Sequence, residues 1–539
     1  MEVFQMYHLK AMIAAAVIGA ASWSAPLHAE TPQNMLVVGF SMNNILTLDP
    51  AAITGKETVQ VLANIYDNLV SLDPANRSEV TPQLAEGWVV SDDKSKITFT
   101  LRDGATFASG HPVTSEDVVW SLKRLMSLNL AQASFLKTHG FSADKADASF
   151  TAPDAKTVVI TLPKKVDPEL IIMTLGIVGP GSIYDSKTVL ENEKSGDKGA
   201  AWLTTHSAGS GPFVLSEWRS NERVVLDRND NYWGDKPAMR RIIMRHLAES
   251  QSQRLMLEKG DIDIAFSMSA ADLKSLESNK DVRIETIGGS GFYYLAVSMK
   301  DEKFKNPKVR EALRYLIDYE GLDKTVLPYF GKLRDRPIAS GIFGAAPNAG
   351  YKLDVTKAKT LLAEAGYPDG FSTTLRGISD APFLNLATAL QATLAQAGIR
   401  AEVITGSGDQ IYGAMRERNF ELLVGRGGGG QLPHPDSNLR AIAYNPNNSD
   451  EAKLTNFQGW RTSFFDEKLN SMIDAAQVEG DKTIQTKLYG DIQKYYADVV
   501  PAIQPFSEVV DTVGVRADIK GLALNPSWST QLRTVTKGR

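Results

Sequence analysis

One local pattern occurs in two widely separated parts of this chain, and it restricts the fold more than any other feature. Apolar strand-like runs flank an amphipathic helix at Arg241–Leu247, Gln251–Glu258 and Asp261–Phe266. The same order returns at Ser372–Ile378, Ala381–Ala397 and Arg400–Thr405, with Phe383, Leu386, Leu390 and Leu394 on one helical face and Gly398 as the stop. A β-α-β crossover is right-handed and its strands are parallel, so each unit predicts a sheet covered by helices. A chain of 539 residues exceeds what a single hydrophobic core supports, and no long Pro/Gly/Ser linker divides it. The expectation is an α/β fold of two lobes sharing a tight or interleaved boundary.

The remaining pattern adds β structure early in the chain. Residues 34–41 read as a buried strand and a helix-like stretch follows near Val59–Leu69. Residues 96–102 alternate apolar and polar side chains, and Thr114 caps a helix carrying Val118, Leu122, Leu125 and Met126 on one face. A hairpin is expected at Phe213–Trp218 and Arg223–Arg228. Asp354 and Gly366 bracket a helix, and Asp466–Glu479 and Lys482–Asp498 each carry an apolar stripe.

The N-terminus sets the compartment. Lys10 precedes an apolar run, Ala11–Ala21, and then a polar stretch ends Pro26-Leu27-His28-Ala29. That layout predicts a secretory leader cleaved after Ala29, because the run is well short of the roughly 20 residues a membrane-crossing helix needs. With no cysteine, the chain has no disulfide, no thiolate metal site and no residue for a lipid anchor. The expected location is therefore a periplasm, unlipidated. The net charge of −5 argues against nucleic acid or an anionic membrane as partner.

Hydrolytic constellations are missing from the sequence. Histidines stand at 8, 28, 111, 139, 206, 246 and 434, with no pair at the i, i+4 spacing of helical metal ligands. No G-x-S-x-G elbow occurs, and the S-x-x-K matches at Ser91–Lys94 and Ser142–Lys145 lack their partner motifs. The run Gly427-Gly428-Gly429-Gly430 has no following G-K-[S/T], so it is not a nucleotide loop. It does follow a strand pattern, Phe420–Val424, at the carboxyl end where open α/β sheets bind ligands. It reads as either a backbone approach to a ligand or a surface loop.

Five collinear blocks then carry a family resemblance. They are Trp88 through Ser121, including Ile97-Thr98-Phe99-Thr100-Leu101-Arg102-Asp103-Gly104 and Thr114-Ser115-Glu116-Asp117-Val118-Val119-Trp120-Ser121; Gly209–Phe213; Tyr232–Pro237; Val309–Asp318; and Ala358–Phe371. Together they resemble the peptide/nickel class of solute-binding proteins of ABC importers, which includes the dipeptide and oligopeptide receptors. The resemblance implies a two-lobed clamshell with an extra β-rich subdomain in the N-terminal lobe. The expected limits are 30–60, 210–291 and 506–539 for lobe I, 61–209 for the subdomain and 292–505 for lobe II, with hinge crossings at Phe292–Met299 and Pro501–Phe506. It implies a monomeric, non-enzymatic receptor without cofactor that passes a peptide-sized ligand to an inner-membrane permease.

Peptide-binding relatives place an acidic residue just before a proline to pair with the peptide's ammonium. Here the chain reads Leu432-Pro433-His434-Pro435-Asp436-Ser437-Asn438, with a histidine at that position. Neutral imidazole does not balance an ammonium. Either Asp436 takes over the role, or the ligand is an opine, an oligosaccharide, a sugar-phosphate, haem or a metal complex. A third option is a Pro-rich loop with a solvated His434. The expected ligand-binding residues are His434, Asp436, Asn438, Arg426, Tyr293, Tyr294 and Trp460, the aromatics being equally compatible with core packing. On this reading Asp436→Ala abolishes binding and leaves stability nearly intact. The rival class is a secreted hydrolase with an unrecognised site.

Overall fold

The computed structural model describes residues 31–538 except Ala75, Arg77 and Gln431, so the expected leader lies outside the described residues. Among them, no helix is long and apolar enough to cross a membrane. The central feature is an eleven-stranded mixed sheet. Its path runs Arg400–Gly406, Ser372–Ile378, Leu422–Gly427, Val282–Val297, Ile503–Arg516, Ile264–Ala265, Met35–Phe40, Arg241–His246, Arg223–Arg228 and Phe213–Arg219, and Gly331–Leu333 pairs with Ile503–Arg516 off this path.

The two crossover units are built differently. Ser372–Ile378 and Arg400–Gly406 pair directly and in parallel, Ser372 opposite Arg400, and the intervening helix Phe383–Gln396 buries Leu386, Leu390 and Leu394 against them. In the other unit Met35–Phe40 inserts between Arg241–His246 and Ile264–Ala265, parallel to both. The local pattern fixed the sense of the strands but could not show that a distant, wholly apolar strand would lie between them. The early helix also starts sooner than expected, at Lys56, and ends at Leu62.

Two long strands join the halves of the sheet. Val282–Val297 and Ile503–Arg516 pair antiparallel along most of their length, and their register breaks between Gly288 and Phe292. The opposite strand there is Glu508–Val510. This irregular point lies just upstream of the Phe292–Met299 crossing expected from the sequence.

Strand alternation assigns side chains to opposite faces. Along Val282–Val297, Tyr293, Leu295 and Val297 enter the core formed with Leu375, Leu386 and Val424. Phe292, Tyr294 and Ala296 enter the core formed with Leu439, Ile473 and Tyr489. Each buried Val, Leu, Ile or Phe side chain among them stabilises the fold by about 1.5–3 kcal/mol relative to exposure.

A four-stranded sheet, Ala85–Val90, Lys96–Leu101, Thr157–Thr161 and Phe150–Asp154, carries a separate core with the helix Ser115–Leu128. Thr114 and Asp117 form a capping box on that helix. A buried bidentate pair ties the unit to the turn Pro50–Ala52 that follows the strand Met35–Phe40, Arg124 donating to Asp49 at 3.0 and 2.7 Å. Such a pair sets position more than it adds stability.

Candidate functional site

The register break is the floor of a cleft. Gly289, Ser290, Gly291, Val509 and Asp511 line a cavity of about 280 Å³. Its walls are Ile53–Lys56 and Gln132 on one side and Arg426, Gly427, Gly429 and Gly430 on the other. A second cavity of about 430 Å³ shares Lys56, Arg426, Val509 and Asp511 with the first and is further lined by Glu57, Phe266, Tyr293 and Trp528. Lys56 Nζ marks their shared boundary, 3.2 Å from Asp511 Oδ1 and 4.1 Å from the Trp528 ring centroid. Both halves of the main sheet supply walls, so a solute held here touches both.

The sequence-derived residues divide sharply between cleft and interior. Arg426 is exposed and lines both cavities, and Tyr293 lines the larger. Burial pushes the Tyr293 phenol up, with the Arg426 guanidinium beside it opposing. Neither cavity is lined by His434, Asp436, Asn438, Tyr294 or Trp460. The pleat separates Tyr294 from Tyr293, and its ring lies where a Cβ on Gly425 would come within 2.8 Å. Trp460 is buried, donates to Ser449 O at 2.8 Å and stacks under Arg418.

The segment expected to meet a ligand's ammonium is an internal junction. His434 is fully buried, which overturns the solvated-loop option: it caps the helix Pro435–Ile442, its Nδ1 accepting from Asp436 N at 3.1 Å. Asp436 is also buried; Arg440 Nε reaches both of its oxygens at 3.0 Å, and Gln477 Nε2 donates at 3.1 Å. Burial pushes this carboxyl up and Arg440 opposes it, while Asp436 and Asp474 hold the Arg440 guanidinium charged.

Asn438 is a brace. Its amide donates to Ser290 O at 2.6 Å and Gly428 O at 2.7 Å, and Ala339 N donates to its Oδ1 at 3.2 Å. The glycine run next to it is as crowded as it is open. A Cβ on Gly429 would sit 1.7 Å from Ser290 O, and Gly428 has φ of +82° with Ile442 2.3 Å from its would-be Cβ. These glycines let the strand end close on the cleft floor, and Gly427, Gly429 and Gly430 still present edges to the cavity.

The four-stranded unit meets the opposite half of the molecule around this junction. Gln485 Nε2 donates to Asp167 Oδ2 at 2.9 Å, Asp167 N donates to Gln477 O at 2.9 Å, and Phe343 N donates to Ser78 Oγ at 2.8 Å. Leu432 enters the core of the four-stranded unit. Two histidines are sealed in the region: burial, with Lys164 and Arg440 nearby, lowers His139 to about 3, and burial with Lys482 and His139 holds His434 well below its ordinary 6.5.

Both histidines are neutral when folded and take up protons on unfolding below the ordinary pKa of 6.5. The unfolded state then binds more protons, so their contribution to stability is complete above that pH and falls as pH drops through it, at up to about 1.4 kcal/mol per pH unit per histidine. Buried Asp67 and Asp167, whose carboxyls burial pushes up, act in the opposite sense. Denaturant melts between pH 7.5 and 5 should show a fall that is shallower in His434→Asn, which keeps a capping acceptor. Equal slopes in both proteins would remove His434 from the effect.

Residues 79–450, more than half of the chain, match the bacterial extracellular solute-binding proteins, family 5 (middle). The chain belongs to that family. Its members are substrate-capturing receptors of two-lobed architecture. The chain is 28% identical, over 93% of both proteins, to a probable D,D-dipeptide-binding periplasmic protein, DdpA, of Escherichia coli K12. It is 30% identical, over 67% of both, to the glutathione-binding protein GsiB of Shigella boydii. The structure of HbpA2 from Haemophilus parasuis superposes with a TM-score of 0.80 at 23% identity, covering 94% of this chain and all of that one. In this family 5 protein the two cavities lie where both halves of the sheet meet. Sequence reasoning missed Lys56, Glu57, Gln132, Asp511 and Trp528, whose placement depends on chain segments hundreds of residues apart.

Among the described residues, no group of three or more His, Asp or Glu side chains is placed to hold a metal ion.

Proposed function

We propose that this family 5 receptor is exported, works in the periplasm as an unlipidated monomer, and captures a short peptide or a solute of that size for an inner-membrane ABC permease, releasing it unaltered. The observation that carries the reading is the cleft straddling the register break of the two long strands, with charged and aromatic walls from both halves of the sheet. The lobes would comprise 30–60 with 210–291 and 506–539, and 292–505, with the four-stranded unit inside 61–209 belonging to the first. Separate apolar cores support the division into two lobes and a subdomain. Val61, Leu62, Ile65 and Tyr66, with Val178, Tyr184, Val189, Leu203 and Ala208, pack into the core of the first lobe, and Ala51 and Leu432 into that of the subdomain.

A solute held by both walls favours the lobes-together state by its differential affinity for it. The names of the dipeptide- and glutathione-binding relatives point to ligands of two or three residues. The test is calorimetric titration with a panel of di- and tripeptides, glutathione and D-Ala-D-Ala, with mass spectrometry of the solute afterwards. Binding with unchanged solute mass, accompanied by a smaller radius of gyration in small-angle scattering, is the expected result. Conversion of any solute would instead mark a hydrolase.

A further inference from the structure

We propose that Glu57 and Arg426 read the two ends of a zwitterionic ligand, Glu57 taking its ammonium and Arg426 its carboxylate. The inference deepens the peptide-receptor reading and rests on it. It places the ammonium site on Glu57, in a segment of lobe I, and leaves Asp436 as part of the scaffold.

Glu57 lies in the helix Lys56–Leu62 and lines the larger cavity, yet only 9% of its surface is exposed. Its carboxylate makes no hydrogen bond or ion pair with any described residue. The carboxylate opens on the cavity with no counter-charge, so an ammonium held there gains a charge-assisted hydrogen bond. The adjacent cation does not serve, because Lys56 Nζ is directed to Asp511 and the Trp528 ring. Asp436, the acid nearest the position expected from the sequence, already has Arg440 and Gln477 and lines neither cavity.

The opposite wall carries the complement. Arg426 is exposed, makes no ion pair with any described residue, and lines both cavities, with the Tyr293 phenol beside it. The Tyr412 hydroxyl fixes the backbone at that position, accepting from Arg426 N at 2.8 Å and donating to Arg426 O at 3.1 Å. With Lys56 paired to Asp511, the larger cavity is lined by one acid, Glu57, and one base, Arg426, that form no ion pair with any described residue. A ligand of complementary charge at each end satisfies both only while the walls are together, which couples recognition to closure. Trp528, Phe266 and Tyr293 give the apolar surface between them.

The experiment titrates wild type, Glu57→Gln and Arg426→Gln with each peptide of the panel in free, N-acetylated and C-amidated forms, following heat and Trp fluorescence. Thermal melts confirm that the variants fold. The wild type should prefer the free peptide over the N-acetylated form by about 100-fold, and that preference should collapse in Glu57→Gln while the preference for free acid over amide persists. Arg426→Gln should show the reverse. Peptide binding with the N-terminal preference intact in Glu57→Gln overturns the assignment and leaves the peptide reading standing. A wild type that binds no member of the panel overturns both.

Discussion

Asp436→Ala is expected to lower the unfolding free energy by about 3–5 kcal/mol, the cost of removing one partner from a buried ion pair. Arg440 would remain with its side chain 11% exposed and only Asp474, itself half exposed, opposite it. Gln477 Nε2 would lose its acceptor, and Gln477 also takes part in the junction with Asp167 through its backbone carbonyl. Urea melts measure this directly, and ligand affinity in the surviving folded fraction should change little. An unaltered melt with abolished binding would restore the sequence-derived role of Asp436 as the ligand's counter-charge.

Gly429→Ala should be comparably damaging, by about 3 kcal/mol, at the upper end of what overpacking costs. The added methyl would meet the backbone oxygen of Ser290 at 1.7 Å and the Asn438 amide at 2.7 Å. Ser290 O is backbone and the Asn438 amide is held by two hydrogen bonds, so the strand end must withdraw from the cleft floor and Asn438 must release Ser290 or Gly428. The same substitution at Gly430, where a Cβ meets nothing within 4 Å, should leave the melt within about 0.5 kcal/mol of wild type. The pair separates crowding from flexibility: equal melts would mean that the run is a loose loop.

Local signals in the sequence were sufficient wherever a side chain acts on its own turn. Thr114 and Asp354 cap the helices they were expected to cap, and the hairpin Phe213–Arg219 with Arg223–Arg228 forms in the expected place. The apolar stripe of Phe383, Leu386, Leu390 and Leu394 lies against the sheet as its spacing required. The binding residues were less legible. Tyr293 and Tyr294 look alike in sequence, but strand alternation sends one toward the cleft and the other into the core.

The sequence by itself determined the class: two parallel β-α-β units, the caps that bound their helices, and five blocks in family order, all set by short-range periodicity and chain order. Tertiary structure alone decided the cleft. Lys56 meets Asp511 and Trp528 across more than 450 residues, and Met35–Phe40 lies between strands drawn from residues 241–265. It also closed the 434–438 segment into the interior, where His434 serves as a cap, Asp436 as an ion-pair partner and Asn438 as a brace. The physical reason is that a polar residue becomes a binding group or a scaffold group according to whether the fold supplies its partner, and those partners come from elsewhere in the chain.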